Sequence, residues 1–104
     1  MNEKTFRQLQ EKARALFSRF PNRWDEKTCY VNLVEEIGEL GNALLVKNKD
    51  KSIKRKRADF EDSFADILFS LIMMADESNV DLERSLSNML EDLEVRLDNK
   101  EYEN

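Results

Sequence analysis

The sequence has no histidine and a single cysteine, Cys29. Without imidazole there is no Ser-His-Asp triad, no Cys-His pair and no histidine general base. A structural zinc site within one chain wants several Cys or His ligands, so that class is disfavoured too. One thiol cannot close an intramolecular disulfide, and nothing calls for an oxidising compartment. Glycine is limited to two residues and proline to one, so few tight turns are possible. The longest apolar stretch, Ile67 to Ala75, is broken by Ser70 and falls far short of a membrane span. The N-terminal MNEKTFRQLQEK is mixed in charge and has no apolar signal core. The expectation is a soluble cytoplasmic protein of one domain spanning residues 1–104. Any chemistry must use carboxylates, amines, hydroxyls or a metal held by oxygen.

What is present is charge and helix formers. Charged residues make up 38% of the chain, with 22 acids against 17 bases. Apolar positions recur at three- and four-residue spacing almost throughout, which predicts an all-α fold of four helices. The first helix is predicted from Thr5 to about Phe20. Phe6, Leu9, Ala13, Leu16, Phe17 and Phe20 form its stripe, Thr5 and Gln8 its capping box, and Pro21-Asn22 its stop. The second begins after Asp25 as N-cap and runs to about Lys47, roughly 34 Å. The third starts around Ser52 or later and ends near Asn79. The fourth is capped by Asp81 and turns Leu82, Leu86, Met89, Leu90, Leu93 and Leu97 inward. The tail from Asp98 to Asn104 lacks apolar periodicity and is expected to fray. Cys29 and Tyr30 read as helix packing.

ILFSLIMMA, Ile67 to Ala75, is apolar nearly all round its helix, which predicts burial on several sides. Four helices of this length offer little to cover it, so a homo-oligomer is expected. Lys47 to Arg57 carries a charge of +6, leaving −11 on the rest of the chain. With so little aromatic interleaving, that basic stretch reads as a solvated connection, and nucleic-acid binding is not expected.

The acids are placed along two helices. Glu36 and Glu39 lie about 60° apart on the second helix, bordering Leu33, Leu40 and Leu44. Glu35 is about 100° round from Glu36, nearer solvent. Gly38 and Gly41 both fall mid-helix, where each costs about 1 kcal/mol relative to Ala. Something is expected to approach that backbone closely, a neighbouring helix being the simplest candidate. On the third helix Asp62 and Asp66 lie about 40° apart, with Asp59 on the same stripe. If the two helices are antiparallel neighbours, Glu36, Glu39, Asp62 and Asp66 crowd four negative charges, which repel unless a cation lies between them. Oxygen-only ligands suit Mg²⁺ or Mn²⁺, and such ions take phosphate oxygens as further ligands. The plain alternative is a set of helix-surface glutamates making i,i+4 pairs.

Glu35-Glu36-Ile37-Gly38-Glu39-Leu40 resembles the EExxE motif of the MazG-like all-α nucleoside triphosphate pyrophosphohydrolases. Ala65 to Asp76, ADILFSLIMMAD, resembles that family's ExxD motif and the apolar helix after it. Asn79 to Glu83 is similar to its entry into the last helix. The resemblance covers roughly Trp24 to Arg96. It implies a four-helix MazG-like bundle assembled as a dimer or tetramer. It also implies Mg²⁺-dependent hydrolysis of an NTP or dNTP to the monophosphate and pyrophosphate. By the same resemblance Glu36 and Glu39 bind metal, Glu35 orients or deprotonates the water, and Asp66 is the Asp of ExxD. Ser63 stands where the family has the Glu of ExxD, and Asp62, one residue earlier, is the expected substitute ligand. Asn88 and Asp92 stand where the family's last helix carries phosphate-binding Lys and Asn. Phosphate binding is therefore expected of Lys47 and Arg96, and Trp24 is the candidate for stacking on a base. Two other readings stay open: a non-catalytic helical oligomer that binds nucleotide or a protein partner, and a phosphoribosyl-ATP pyrophosphohydrolase.

Overall fold

The computed structural model describes residues 3–48 and 57–102, with backbone alone for 57–59. The described residues form four α-helices and no strand: α1 (Phe6–Phe17), α2 (Glu26–Lys47), α3 (Arg57–Glu77) and α4 (Leu82–Asp98). The all-α expectation holds. The predicted start of α3 near Ser52 and the basic stretch at 49–56 lie outside the described residues.

Side chains and turns set the helix ends. Thr5 Oγ1 accepts from Gln8 N–H at 3.1 Å and Gln8 Oε1 accepts from Thr5 N–H at 2.9 Å, the reciprocal box expected. α1 stops at Phe17, three residues short of the expected Phe20. The Ser18 hydroxyl donates to Ala15 O at 2.7 Å, and Phe20 N–H donates to Phe17 O at 3.1 Å, so the ladder tightens and closes. Asp25 caps α2 by accepting from Thr28 N–H at 2.8 Å. α3 ends at Glu77 because Asn79 adopts φ 58° and Val80 N–H bonds Ala75 O at 2.8 Å. That is a left-handed helix closure, a conformation asparagine tolerates. Lys100 at φ 59° ends α4 in the same way, with Glu101 N–H on Arg96 O at 3.0 Å.

α2 and α3 form an antiparallel hairpin, and its rungs fall in reverse order along the chain. Ser78 donates to Glu26 at 2.6 Å, Asn32 to Ser70 at 2.7 Å, and Lys47 Nζ lies 5.0 Å from the Phe60 ring centroid. α1 lies against α3, with Phe17 edge-on to Phe69 at 6.3 Å and Arg14 paired with Asp76 at 2.6 Å. Arg23 pairs with Glu77 at 2.7 Å and holds the α1–α2 connection. Arg7 reaches Asp81 at 3.1 Å and Glu83 at 3.2 Å, and so fixes the start of α4.

The buried apolar core is small: Ala13, Cys29, Ala43, Ile72, Met73 and Ala75. Four expectations differ within the single chain. α4 buries none of its residues, and Leu86, Met89, Leu90 and Leu97 are exposed rather than inward. Ile67–Ala75 is covered only where it meets α1 and α2, and Leu68 and Leu71, with nearby Phe64, face outward. Tyr30 is exposed, and beyond the helix's own backbone nothing among the described residues comes within 4 Å of a Cβ placed on Gly38 or Gly41. The common reason is that one copy of the chain supplies too few helices to cover both sides of the hairpin. Among the described residues no helix is long and apolar enough to cross a membrane.

Candidate functional site

The hairpin rungs place Glu36 of α2 level with Asp66 of α3. The Asn32–Ser70 bond lies one turn beyond, and it fixes the register between the two motifs. Glu36 is half-buried at the helix contact, while Glu35, Glu39, Asp62 and Asp66 lie exposed. Burial pushes the Glu36 carboxyl above the usual range, and the charges of Glu39, Asp66 and Glu35 push it further, as does a carboxyl–carboxyl hydrogen bond with Glu39. Loss of solvation and like-charge crowding both penalise the ionised form. So Glu35, Glu36, Glu39 and Asp66 form one electrostatic group. Asp62 is not among the charges that shift Glu36.

Ser63, where the resemblance leads one to expect a glutamate, is buried between the helices. Asp62 is on the exposed flank beside Asp66. Among the described residues no three acids or thiols converge tightly enough to form a metal-ligand cluster. Carboxylates repel at short range, and a compact ligand set needs a cation to draw it together. The donor chemistry nonetheless fits a hard divalent cation: oxygen-only and partly desolvated.

The other predicted residues lie apart. Lys47 sits over the Phe60 ring at the far end of the hairpin. Arg96, on α4, engages Asp92 at 3.0 Å and the Tyr102 hydroxyl at 3.3 Å. Trp24 is half-buried and packs edge-on to Phe20 at 6.4 Å. It lines a cavity of about 160 Å³ with Phe17, Phe20, Cys29 and Met73, flanked by Arg14 and Arg23. The Cys29 thiol in its wall is pushed up by burial and by the charges of Glu77 and Asp25, which disfavours the thiolate form. Cys29 precedes Glu36 by two helical turns, roughly 10 Å along the axis. This cavity was not anticipated beyond Trp24. The signal for it was present in FSRFPNRW, where three aromatics stand within eight residues around the chain's lone proline.

No family profile matches the chain, and no curated protein matches it in sequence. Among solved structures, it matches the crystal structure of the Bacillus-conserved MazG protein, described as a nucleotide pyrophosphohydrolase. The TM-score is 0.73 at 26% identity, covering 89% of this chain and 93% of that one. The chain has a MazG-like all-α fold. On this fold α2 carries Glu35, Glu36 and Glu39, and α3 carries Asp66 on the facing helix. The two helices that carry these acids make the most extensive helix–helix contact among the described residues.

Proposed function

We propose that the protein is a Mg²⁺-dependent nucleotide pyrophosphohydrolase that converts an NTP or dNTP to the monophosphate and pyrophosphate, working as a homodimer or tetramer. The observation that carries this reading is the half-buried Glu36 among Glu35, Glu39 and Asp66, on a MazG-like fold. Such a group is unfavourable without a counter-charge, and a hard cation with its phosphate ligand supplies one. Glu36, Glu39, Asp62 and Asp66 hold Mg²⁺ or Mn²⁺. When bound, the ion supplies Lewis acidity toward the phosphate oxygens and acidifies water.

Glu35, on the exposed side of the group, takes the proton of the attacking water. Attack falls on the α-phosphorus, the bond to the bridging oxygen breaks, and pyrophosphate leaves in line. Lys47 and Arg96 hold phosphate oxygens. The Trp24 cavity, two turns along α2, takes the base. The test is pyrophosphate release from a panel of NTPs and dNTPs with Mg²⁺ or Mn²⁺. Release from at least one substrate, abolished by Glu36→Gln, is the expected result. Activity that survives Glu36→Gln removes the ligand role.

A second reading is a non-catalytic relative that binds nucleotide. It is favoured by the buried Ser63 at the expected glutamate position. Calorimetric titration separates the two: no binding of Mg²⁺ or Mn²⁺, with or without nucleotide, selects the second.

A further inference from the structure

α1 carries a polar stripe that the acidic group does not use. Arg7, Gln10 and Arg14 stand three and four residues apart and fall within about 60° of one another round the helix. The stripe faces the end of α3 and the turn into α4, where Arg7 reaches Asp81 and Glu83 and Arg14 reaches Asp76. A cleft of about 330 Å³ lies there, walled by the Arg7–Asp81 and Arg14–Asp76 pairs, by Gln10 and by the turn at Asn79. That is the small end of ligand pockets, which run from about 300 to 1,000 Å³. Gln10 is the unusual wall residue. It is only 7% exposed and is one of the two buried residues of α1. Its Oε1 is buried and has no hydrogen-bond partner among the described residues. Buried side-chain oxygens are almost always paired, because an unpaired one has given up water for nothing. A small core that spends one of its places on such a group leaves an acceptor waiting for a donor.

The charges around it define what can supply that donor. The lining side chains carry two guanidinium groups and two carboxylates, so the cleft is neutral as a whole. A simple anion meets Asp76 and Asp81, and a simple cation meets Arg7 and Arg14. Arg7 is already engaged by two acids, through Nη2 and Nε. Arg14 meets Asp76 through its inner nitrogen, Nε, at 2.6 Å, so its fork of outer N–H groups is not spent on that pair. A guanidinium fork matches a carboxylate. Gln10, about one turn earlier on the same face, and Asp76 are acceptors for an ammonium group. An α-amino acid carries those two groups one carbon apart and has no net charge. Val80, half-exposed at the rim, offers apolar contact to a small side chain.

We propose that the cleft between α1 and the α3–α4 turn binds a small zwitterion, a free α-amino acid, with its carboxylate on Arg14 and its ammonium group on Gln10 Oε1 and Asp76. The site goes beyond the catalytic reading and does not rest on it. Arg14 and Asp76 also border the Trp24 cavity, so the test is made free of nucleotide and metal. Calorimetry and thermal unfolding of the full chain are followed with glycine, L-alanine, L-serine and L-valine as probes. Acetate and methylamine each carry one half of the zwitterion, and inorganic phosphate is the anion control. At least one amino acid binds and raises the melting temperature, and the three controls do not. Arg14→Lys keeps the charge, loses the fork and weakens that binding about tenfold or more. Gln10→Leu removes the unpaired oxygen, so it raises the melting temperature of the ligand-free protein and abolishes the response to the amino acid. A purely structural role for Gln10 would not move the two readouts in opposite directions. The proposal is overturned if none of the four amino acids binds, or if phosphate, acetate or methylamine binds as tightly. It is equally overturned if Gln10→Leu binds the amino acid like the wild type or melts lower without it. Amino-acid binding by a protein that releases no pyrophosphate leaves the proposal standing and refutes only the catalytic reading.

Discussion

The α2–α3 hairpin and α4 are built from similar residues and end up in opposite situations. Both are helical and rich in leucine, and α2 and α4 each start on an aspartate cap. The hairpin buries Cys29, Ala43, Ile72 and Met73 and locks its register with polar rungs, whereas α4 buries nothing and is tied down by Arg7 at its first turn. Helix formation is local and both segments achieve it. Burial needs a partner, and the chain has one only for the hairpin. The acidic group follows from the same difference. Glu36 is perturbed because α3 covers it, while the acids of α4 remain solvated surface.

Five predictions sharpen the contrast, from the largest effect down. Glu36→Gln abolishes pyrophosphate release yet raises the melting temperature of the metal-free protein at neutral pH. Its carboxyl is raised in the folded state, so the penalty is absent below the unfolded value. It grows as pH rises through the folded value and is full above it. A scan with chelator present, showing equal or lower stability for the variant at pH 7, would remove the crowding. Glu35→Gln, if Glu35 is the base, lowers turnover on the order of 10²–10⁴-fold with little change in metal affinity, read by kinetics and calorimetry.

Ile72→Ala in the hairpin core costs about 2–5 kcal/mol in denaturant unfolding, independent of protein concentration. Leu90→Ala in α4, at a position half exposed within the chain, costs under about 0.5 kcal/mol. Equal costs for the two would erase the distinction between the regions. Smallest is the capping box: Thr5→Ala lowers stability by about 1 kcal/mol. The caps also set an acid limb opposite in sign to Glu36. Asp25 and Asp81 are held below their ordinary values, Asp25 by the Thr28 N–H and Asp81 by the Arg84 N–H and Arg7. Their stabilisation is present above the unfolded carboxylate range and is lost as pH falls through the folded values. Asp81→Asn keeps the cap and flattens that limb in an acid titration followed by circular dichroism.

Much of this was readable from residues. The 3–4 periodicity gives four helices because helical geometry repeats every 3.6 residues whatever the context. Thr5, Asp25 and Asp81 mark starts because their side chains bond N–H groups three residues on. Glu36 with Glu39, and Asp62 with Asp66, could be assigned to helix faces by counting. What counting could not supply is distance across the hairpin. The rise at Glu36 is of that kind, since it comes first from burial at the helix contact and then from the charges of Glu39, Asp66 and Glu35. Counting treated Ser63 as a gap in the motif, where the fold has it buried between helices.

The amino-acid sequence by itself determined the helices, their capped starts at Thr5, Asp25 and Asp81, the oxygen-only donor set and the amphipathic character of α4, since all of these depend on residues a few positions apart. Only the tertiary structure decided that Glu36 is half-buried beside Asp66, that three aromatics from α1 and its following turn line a cavity, and that Leu86, Leu90 and Leu97 of α4 stand exposed among the described residues. Those facts depend on which helices meet. That is set by total burial against conformational entropy across the whole chain, and no short window of residues contains it.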